Sequence, residues 1–457
     1  MSLLNNLKVG GRHGVPSGES RDPIGYLVAG LNRLAQSELL DRVGLRRQAE
    51  QAVFTTTSNG FRVVAHASRQ FARRGSRTTS GVRVPGASGD GLFDLTPTDD
   101  EQMLVDVVTD FATELLRPAA ADADRSCGTP QELSSQSLEI GLPILGVPES
   151  LGGIAETRSA VAGTLVAEAL AHGDMGLAVS VLAPGAVATA IGLWGTDEQQ
   201  QTYLPAFTEP SEKGVPVASL ALAEPSVLLD VLQPATTAVR RGSGFVLNGT
   251  KSLVARGAEA ELLLIGARLD GSPVLFLVES GTPGISVEGD PAMGVRAAGL
   301  TTVTLTDVEV PAEAVLGEVD GSTYTECVRY SRLAWCALAI GTAQAVLDYV
   351  TPYVKERHAF GEPIAHRQAV AFMVADMAIE LQAMRLVTYK AASRVARGKD
   401  ATREIALARR LCADKGMRIG LDGVQLLGGH GYVKEHPVER WYRDLRAVGI
   451  MEGAVLV

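Results

Sequence analysis

The chain has 457 residues, 46% of them hydrophobic, and 42 Lys/Arg against 52 Asp/Glu give a net charge of −10. That length leaves room for two to four domains and a sizeable core. The acidic balance argues against a nucleic-acid partner, and without a run of eighteen or more apolar residues no helix is expected to span a membrane.

The opening residues, MSLLNNLKVGGRHG, carry no apolar signal core or small-residue cleavage site, so the cytoplasm is the expected compartment. The four cysteines, Cys127, Cys327, Cys336 and Cys412, are scattered and read as buried thiols rather than a disulfide framework. The seven histidines form no metal-ligand spacing, so no metal site is expected. The charge is uneven. Residues 1–95 hold 13 Lys/Arg against 7 Asp/Glu, a net of +6, which leaves −16 on the rest. The asymmetry marks 1–95 as a separate basic extension.

In chain order, residues 1–25 are rich in Gly, Ser, Asn and Pro and read as disordered. Phe61, Val64, Ala65 and Phe71 recur at helical spacing, with Arg62, Arg69 and Arg73 on the opposite side. Such a basic amphipathic helix suits an anionic membrane surface or a partner protein, contacted through residues 26–74; packing on the chain's own body is an equal alternative. Residues 75–91 read as a flexible linker. Thr98 with Glu101 forms a capping-box signature, and residues 98–207 read as helices. From Gly214 the period changes. Phe245–Thr250, Leu262–Arg268, Val274–Val278 and Thr301–Val310 are β-prone, although Asp307 breaks the alternation of the last run. After Gly321 helical periodicity returns, with Met373, Met377, Leu381 and Met384 on one apolar face. Gly428–Gly429 stops a helix, and Pro437 stands just inside the next, Val438 to Leu445. That run leads to Glu452, whose neighbours Ile450 and Met451 predict partial desolvation, a setting that favours a general base. Read from residue types alone, an exposed glutamate in a frayed tail remains open.

Two motif blocks carry a resemblance. Gln425-Leu-Leu-Gly-Gly-His-Gly-Tyr432, Pro437-Val-Glu-Arg440, Arg443-Asp444 and Glu452-Gly453 form one; Arg357-His-Ala-Phe-Gly361, Pro363-Ile364, Gln368 and Asp376-Met377 form the other. From about Leu95 to Val457 the chain resembles the acyl-CoA dehydrogenase family. The resemblance implies an α+β fold: an N-terminal helical domain (96–214), a middle β domain (215–320) and a C-terminal four-helix bundle (321–457), preceded by the basic extension (1–95).

It further implies FAD as cofactor, an acyl-CoA thioester as substrate and α,β-dehydrogenation. Glu452 takes the position of the family's base, with Met451 in place of tyrosine. Arg357, Phe360, Gln425, Gly428 and Gly429 match residues that hold the adenine-diphosphate half of a neighbouring subunit's FAD. Arg332 and Gly453 fall at substrate-site positions. A homo-oligomer, dimer or tetramer, is implied, or a hetero-oligomer with a related subunit. The departures lie in the β domain. Ala223, Leu228, Leu229, Leu253 and Ala255 stand where relatives have hydroxyl, glycine, serine or indole facing the flavin. They raise the alternatives of an FAD-poor partner subunit and of a scaffold or membrane-associated protein at the inner face of a membrane.

Overall fold

The computed structural model describes residues 97–457 apart from 155–157, 209–215 and 227. The chain divides into two units, Met1–Gly91 and Leu92–Val457. The basic amphipathic helix with Arg62, Arg69 and Arg73, the linker 75–91 and the proposed membrane contact lie outside the described residues.

Helix α1 (Asp99–Phe111) opens as its sequence requires. The Thr98 hydroxyl accepts the Glu101 N–H, and the Glu101 carboxylate accepts the Thr98 N–H. Helices α2 (Arg117–Ser126), α3 (Gln131–Glu139), α4 (Ala160–Gly173), α5 (Met175–Trp194) and α6 (Asp197–Thr208) follow. Helix α5 is apolar on every side and long enough to cross a membrane, with mean hydropathy 1.8. Its residues Met175 to Ile191 are nearly all buried between the neighbouring helices and the sheet, as an all-round apolar helix of a core should be. Ser180, Pro184 and Thr189 interrupt what would otherwise be a single apolar run.

The middle layer is an eight-stranded sheet: β1 (Ala218–Ala221), β2 (Thr237–Arg241), β3 (Gly244–Ala255), β4 (Leu262–Leu269), β5 (Ser272–Glu279), β6 (Ile285–Gly289), β7 (Leu300–Pro311) and β8 (Val315–Leu316). The order is β6-β7-β3-β2-β4-β5-β8, with β1 beside β4. β4 pairs parallel with β1 and β2; the other ladders are antiparallel. Strand β3 does not end at Thr250, as its turn-like Asn248-Gly249 suggests; it continues to Ala255 through two register shifts against β7. Asp307 breaks the alternation of β7 because it sits at the first shift with φ +50°, exchanging side-chain and backbone hydrogen bonds with Asn248. Gly249 is required there, since a Cβ would lie 2.6 Å from the Thr236 hydroxyl.

The last layer is helical. Helix α7 (Ser322–Glu356) spans 35 residues, roughly 50 Å at 1.5 Å per residue. It packs against α4 and against α8 (Gln368–Ala396) and α9 (Thr402–Leu427), with α10 (Val438–Ala447) closing the bundle. Met377, Leu381 and Met384 are buried, whereas Met373 is only partly so. Pro437 is the residue capping α10 rather than its first helical residue. Cys327, Cys336 and Cys412 are buried, but Cys127, which ends α2 in a left-handed conformation, is exposed.

Two buried ionic clusters brace the interior, one within the sheet layer and one between layers. In the sheet, Lys251 Nζ lies 2.8 Å from Glu224 Oε1, with side chains 0% and 5% exposed. Glu224 also accepts the Ala235 and Thr236 N–H groups, and Lys251 donates to the Leu222 carbonyl. Burial alone would raise the Glu224 pKa, but the Lys251 charge and these bonds bring it below its usual value. Burial lowers Lys251, against the pull of Glu224. Lys251→Met is expected to cost about 3–5 kcal/mol by leaving a buried carboxylate uncompensated. The double variant with Glu224→Gln should recover part of that loss in urea titrations.

The second cluster fixes α10. Asp174 caps α5 through the Leu177 N–H and accepts Arg440 Nε at 2.9 Å. Asp444 accepts the Val295 N–H at 2.6 Å. Burial, then the nearby Asp174 charge, push the Asp444 carboxyl up to about 8. The folded state therefore holds a proton that the unfolded chain releases near the usual carboxyl range. Stability falls as pH rises toward 8 and the loss is complete above it. Asp444→Asn keeps an acceptor for Val295, so its stability relative to the parent is expected to grow with pH. Urea midpoints at pH 5 and pH 8.5 check this.

Candidate active site

The segment after α10 carries Glu452 and is pinned from several sides. The Gly453 carbonyl accepts the Ser331 hydroxyl and the Trp335 indole N–H, both at 2.9 Å. Gly453 also bridges to Ala221 at the end of β1. Gly453 and Ala454 are both left-handed, φ +79° and +70°, which lets the chain turn sharply beneath the sheet. A frayed tail is therefore ruled out.

Glu452 does not sit in the apolar setting that its neighbours suggest. Met451 is buried, but Ile450 points outward and is 63% exposed. The Glu452 side chain, 10% exposed, meets Arg332 in a fork: Nε lies 3.0 Å from each carboxylate oxygen and Nη2 lies 2.7 Å from Oε1. Arg409 stands 3.6 Å from the same oxygen. Burial alone would lower the Arg332 pKa, but its bonds to Glu452 and the carboxylate charge raise it. For Arg409 burial prevails and the pKa is lowered, against the opposing Glu452 charge. Arg332 thus rests on Glu452 itself. Nothing in the local sequence links the two, which lie 120 residues apart.

A second region is an open groove of about 1300 Å³ in the helical bundle. It brings together Arg357, Phe360, Gln425, Gly428 and Gly429, with Tyr353, Arg367 and His430 on its walls. Strands β9 (His358–Ala359) and β10 (Glu362–Pro363) form a tight hairpin whose turn residues, Phe360 and Gly361, have φ +57° and +88°. A bulky side chain is uncommon at such a turn position. The result is a phenyl ring 95% exposed in the groove. Arg367, absent from the sequence reading, lies with its guanidinium carbon 5.7 Å from that ring's centroid. It pairs with Glu362 at 3.0 Å, a carboxylate that the sequence also places within reach of Arg357. Gly428 ends α9 at φ +59° and leaves free space where a Cβ would stand.

On the sheet face that the resemblance turns toward a flavin ring, few side-chain donors stand. Ala223 and Ala255 are buried and offer no side-chain donor, and Leu228 is 91% exposed. Two backbone donors are also committed. The Ser252 N–H bonds the Ala223 carbonyl, and the Leu253 N–H bonds the Asp290 carboxylate, each at 3.0 Å. The groove therefore fits an adenine-diphosphate group: Arg357 would meet the pyrophosphate and Phe360 would provide an aromatic face. The ring-facing residues do not fit the isoalloxazine by side-chain hydrogen bonding.

A helical domain, a mixed β domain and a helical bundle thus meet around one pinned glutamate. Comparison with known proteins names the family. Family models described as acyl-CoA dehydrogenase N-terminal, middle and C-terminal domains match residues 98–210, 219–308 and 322–455. The short-chain specific acyl-CoA dehydrogenase of Megasphaera elsdenii is 31% identical over 373 residues, covering 79% of this chain and 96% of that protein. The mitochondrial short-chain specific enzyme of Rattus norvegicus is 33% identical over 370 residues, covering 78% and 87%. The solved butyryl-CoA dehydrogenase of Megasphaera elsdenii superposes with a TM-score of 0.72 at 30% identity, covering 78% of this chain and 95% of that one. The chain belongs to the acyl-CoA dehydrogenase family. It is thus an acyl-CoA dehydrogenase-like flavoprotein of the oxidoreductase class, and the family implies FAD.

Proposed function

We propose that Glu452 is the base that removes the α proton of a bound acyl-CoA thioester. The observation that carries this reading is the fixed, largely enclosed Glu452 carboxylate on a segment pinned to both the sheet and α7. The α C–H bond breaks, its proton passes to a Glu452 oxygen, and its electron pair moves toward the thioester oxygen as an enolate. In this step Glu452 loosens the Arg332 fork, which bonds both of its oxygens, as it presents a lone pair to the α proton. The released guanidinium stays nearby as a counter-charge. Incubation of the protein with a saturated acyl-CoA in D2O, followed by NMR of the α position, tests the step. Wash-in of deuterium supports it; none at any substrate concentration overturns it.

The mismatch between a fitted groove and a bare ring face favours a second reading beside it. The chain then serves within a mixed oligomer, offering Arg357, Phe360, Gln425, Gly428 and Gly429 to the adenine-diphosphate half of an FAD whose ring rests on a related subunit.

A further inference from the structure

We infer that Arg409 is a positioning residue for Glu452, an inference that rests on Glu452 being the base. Arg409 comes from α9, while Arg332 comes from α7, so the carboxylate is held between two helices. The two guanidiniums do different work. Arg332 forks onto both oxygens, with two contacts to Oε1 and one to Oε2, and so competes with a substrate proton for the carboxylate. Arg409 Nη2 instead donates to the carbonyl of Met451, the residue before Glu452, at 2.6 Å. It stands 3.6 Å from Glu452 Oε1, beyond a good hydrogen bond but within reach of its charge.

Arg409 can therefore fix the backbone and the charge while leaving the lone pairs free. Its hold persists when the Arg332 fork opens. The Arg409 side chain is only 12% exposed, and its Nη1 is buried without a hydrogen-bond partner among the described residues. Placing a cation this way is costly, and the carboxylate that offsets it is Glu452. The like charge of Arg332 also stands nearby and opposes it, and the buried thiols of Cys336 and Cys412 line the same spot.

The test uses the full chain, its R409Q and R409K variants and a saturated short-chain acyl-CoA. Three quantities are read: the α-deuterium wash-in rate at saturation, the Kd of the acyl-CoA by calorimetry, and the rate at which carboxypeptidase trims the residues after Glu452. For R409Q the wash-in rate is expected to fall about tenfold to a hundredfold, as for a misplaced reacting group. Its Kd should hold and its tail should be trimmed faster. R409K keeps the charge and a donor for Met451 but loses the planar fork, so it should recover part of both. Parental wash-in by R409Q would overturn the inference while leaving Glu452 as base. No wash-in by the parent would defeat both together. Should R409Q fail to fold, R409K decides: a slower wash-in at unchanged Kd supports the role, and the parental rate overturns it.

Discussion

Glu452→Gln is expected to abolish α-proton exchange while leaving the chain folded. A glutamine oxygen can still accept from Arg332 Nε, but the amide is not basic enough to take a carbon-bound proton. General-base contributions of about 10²–10⁴-fold set the expected loss of rate. The fold should persist because the backbone around residue 452 does not depend on that carboxylate. Ser331 and Trp335 hold the Gly453 carbonyl, and Arg409 holds that of Met451. Some stability should still be lost, since Arg332 and Arg409 then face each other without a carboxylate between them. Deuterium wash-in by NMR, beside circular dichroism on the same sample, separates the two effects. Exchange at the parental rate in a folded Glu452→Gln protein would end the assignment of this residue as base.

How far the sequence reveals this site depends on the range of each interaction. The Thr98–Glu101 capping box, the Gly428 helix stop and the apolar Met377–Leu381–Met384 face are local. Each obeys a spacing of three or four residues or a single dihedral preference, and each is observed. The groove is legible only through motif resemblance, because Arg357–Phe360 and Gln425–Gly429 meet by the packing of the end of α7 against the end of α9. What local reasoning gets wrong is electrostatic. Ile450 and Met451 suggest an apolar environment for Glu452, yet a chain leaving a helix turns one neighbour outward, and two guanidiniums arrive from distant helices. The same holds for Asp307, which breaks the pattern of β7 because of a partner 59 residues away. Charged partners carry no periodicity of their own, so their pairings stay hidden until the layers are assembled.

As a lone chain, this protein is expected to hold FAD weakly or to purify without it, and a related subunit with an intact ring site should restore stoichiometric flavin. The two halves of the site point in opposite directions. The groove supplies Arg357, an exposed Phe360 ring and the open Gly428–Gly429 loop, the contacts proposed for an adenine-diphosphate group. The ring-facing sheet supplies Ala223, Leu253 and Ala255, and it has already committed the Ser252 and Leu253 N–H groups within the chain. With about three neutral hydrogen bonds missing at roughly 1 kcal/mol each, affinity falls on the order of a hundredfold or more. Leu253→Trp with Ala255→Thr should recover part of it, although Leu253 has φ +54° and a large ring there must accept that backbone. Conversely, Arg357→Ala in this chain should release flavin from a mixed oligomer while leaving a lone preparation unchanged. The measurement is the flavin absorbance per protein chain, for this chain alone, with a partner, and with the partner plus Arg357→Ala. One tightly bound FAD per chain in the lone protein would overturn the shared-site account and return the chain to a self-sufficient dehydrogenase. Flavin that depends on the partner but survives Arg357→Ala would show that the groove is not where the adenine-diphosphate half is held.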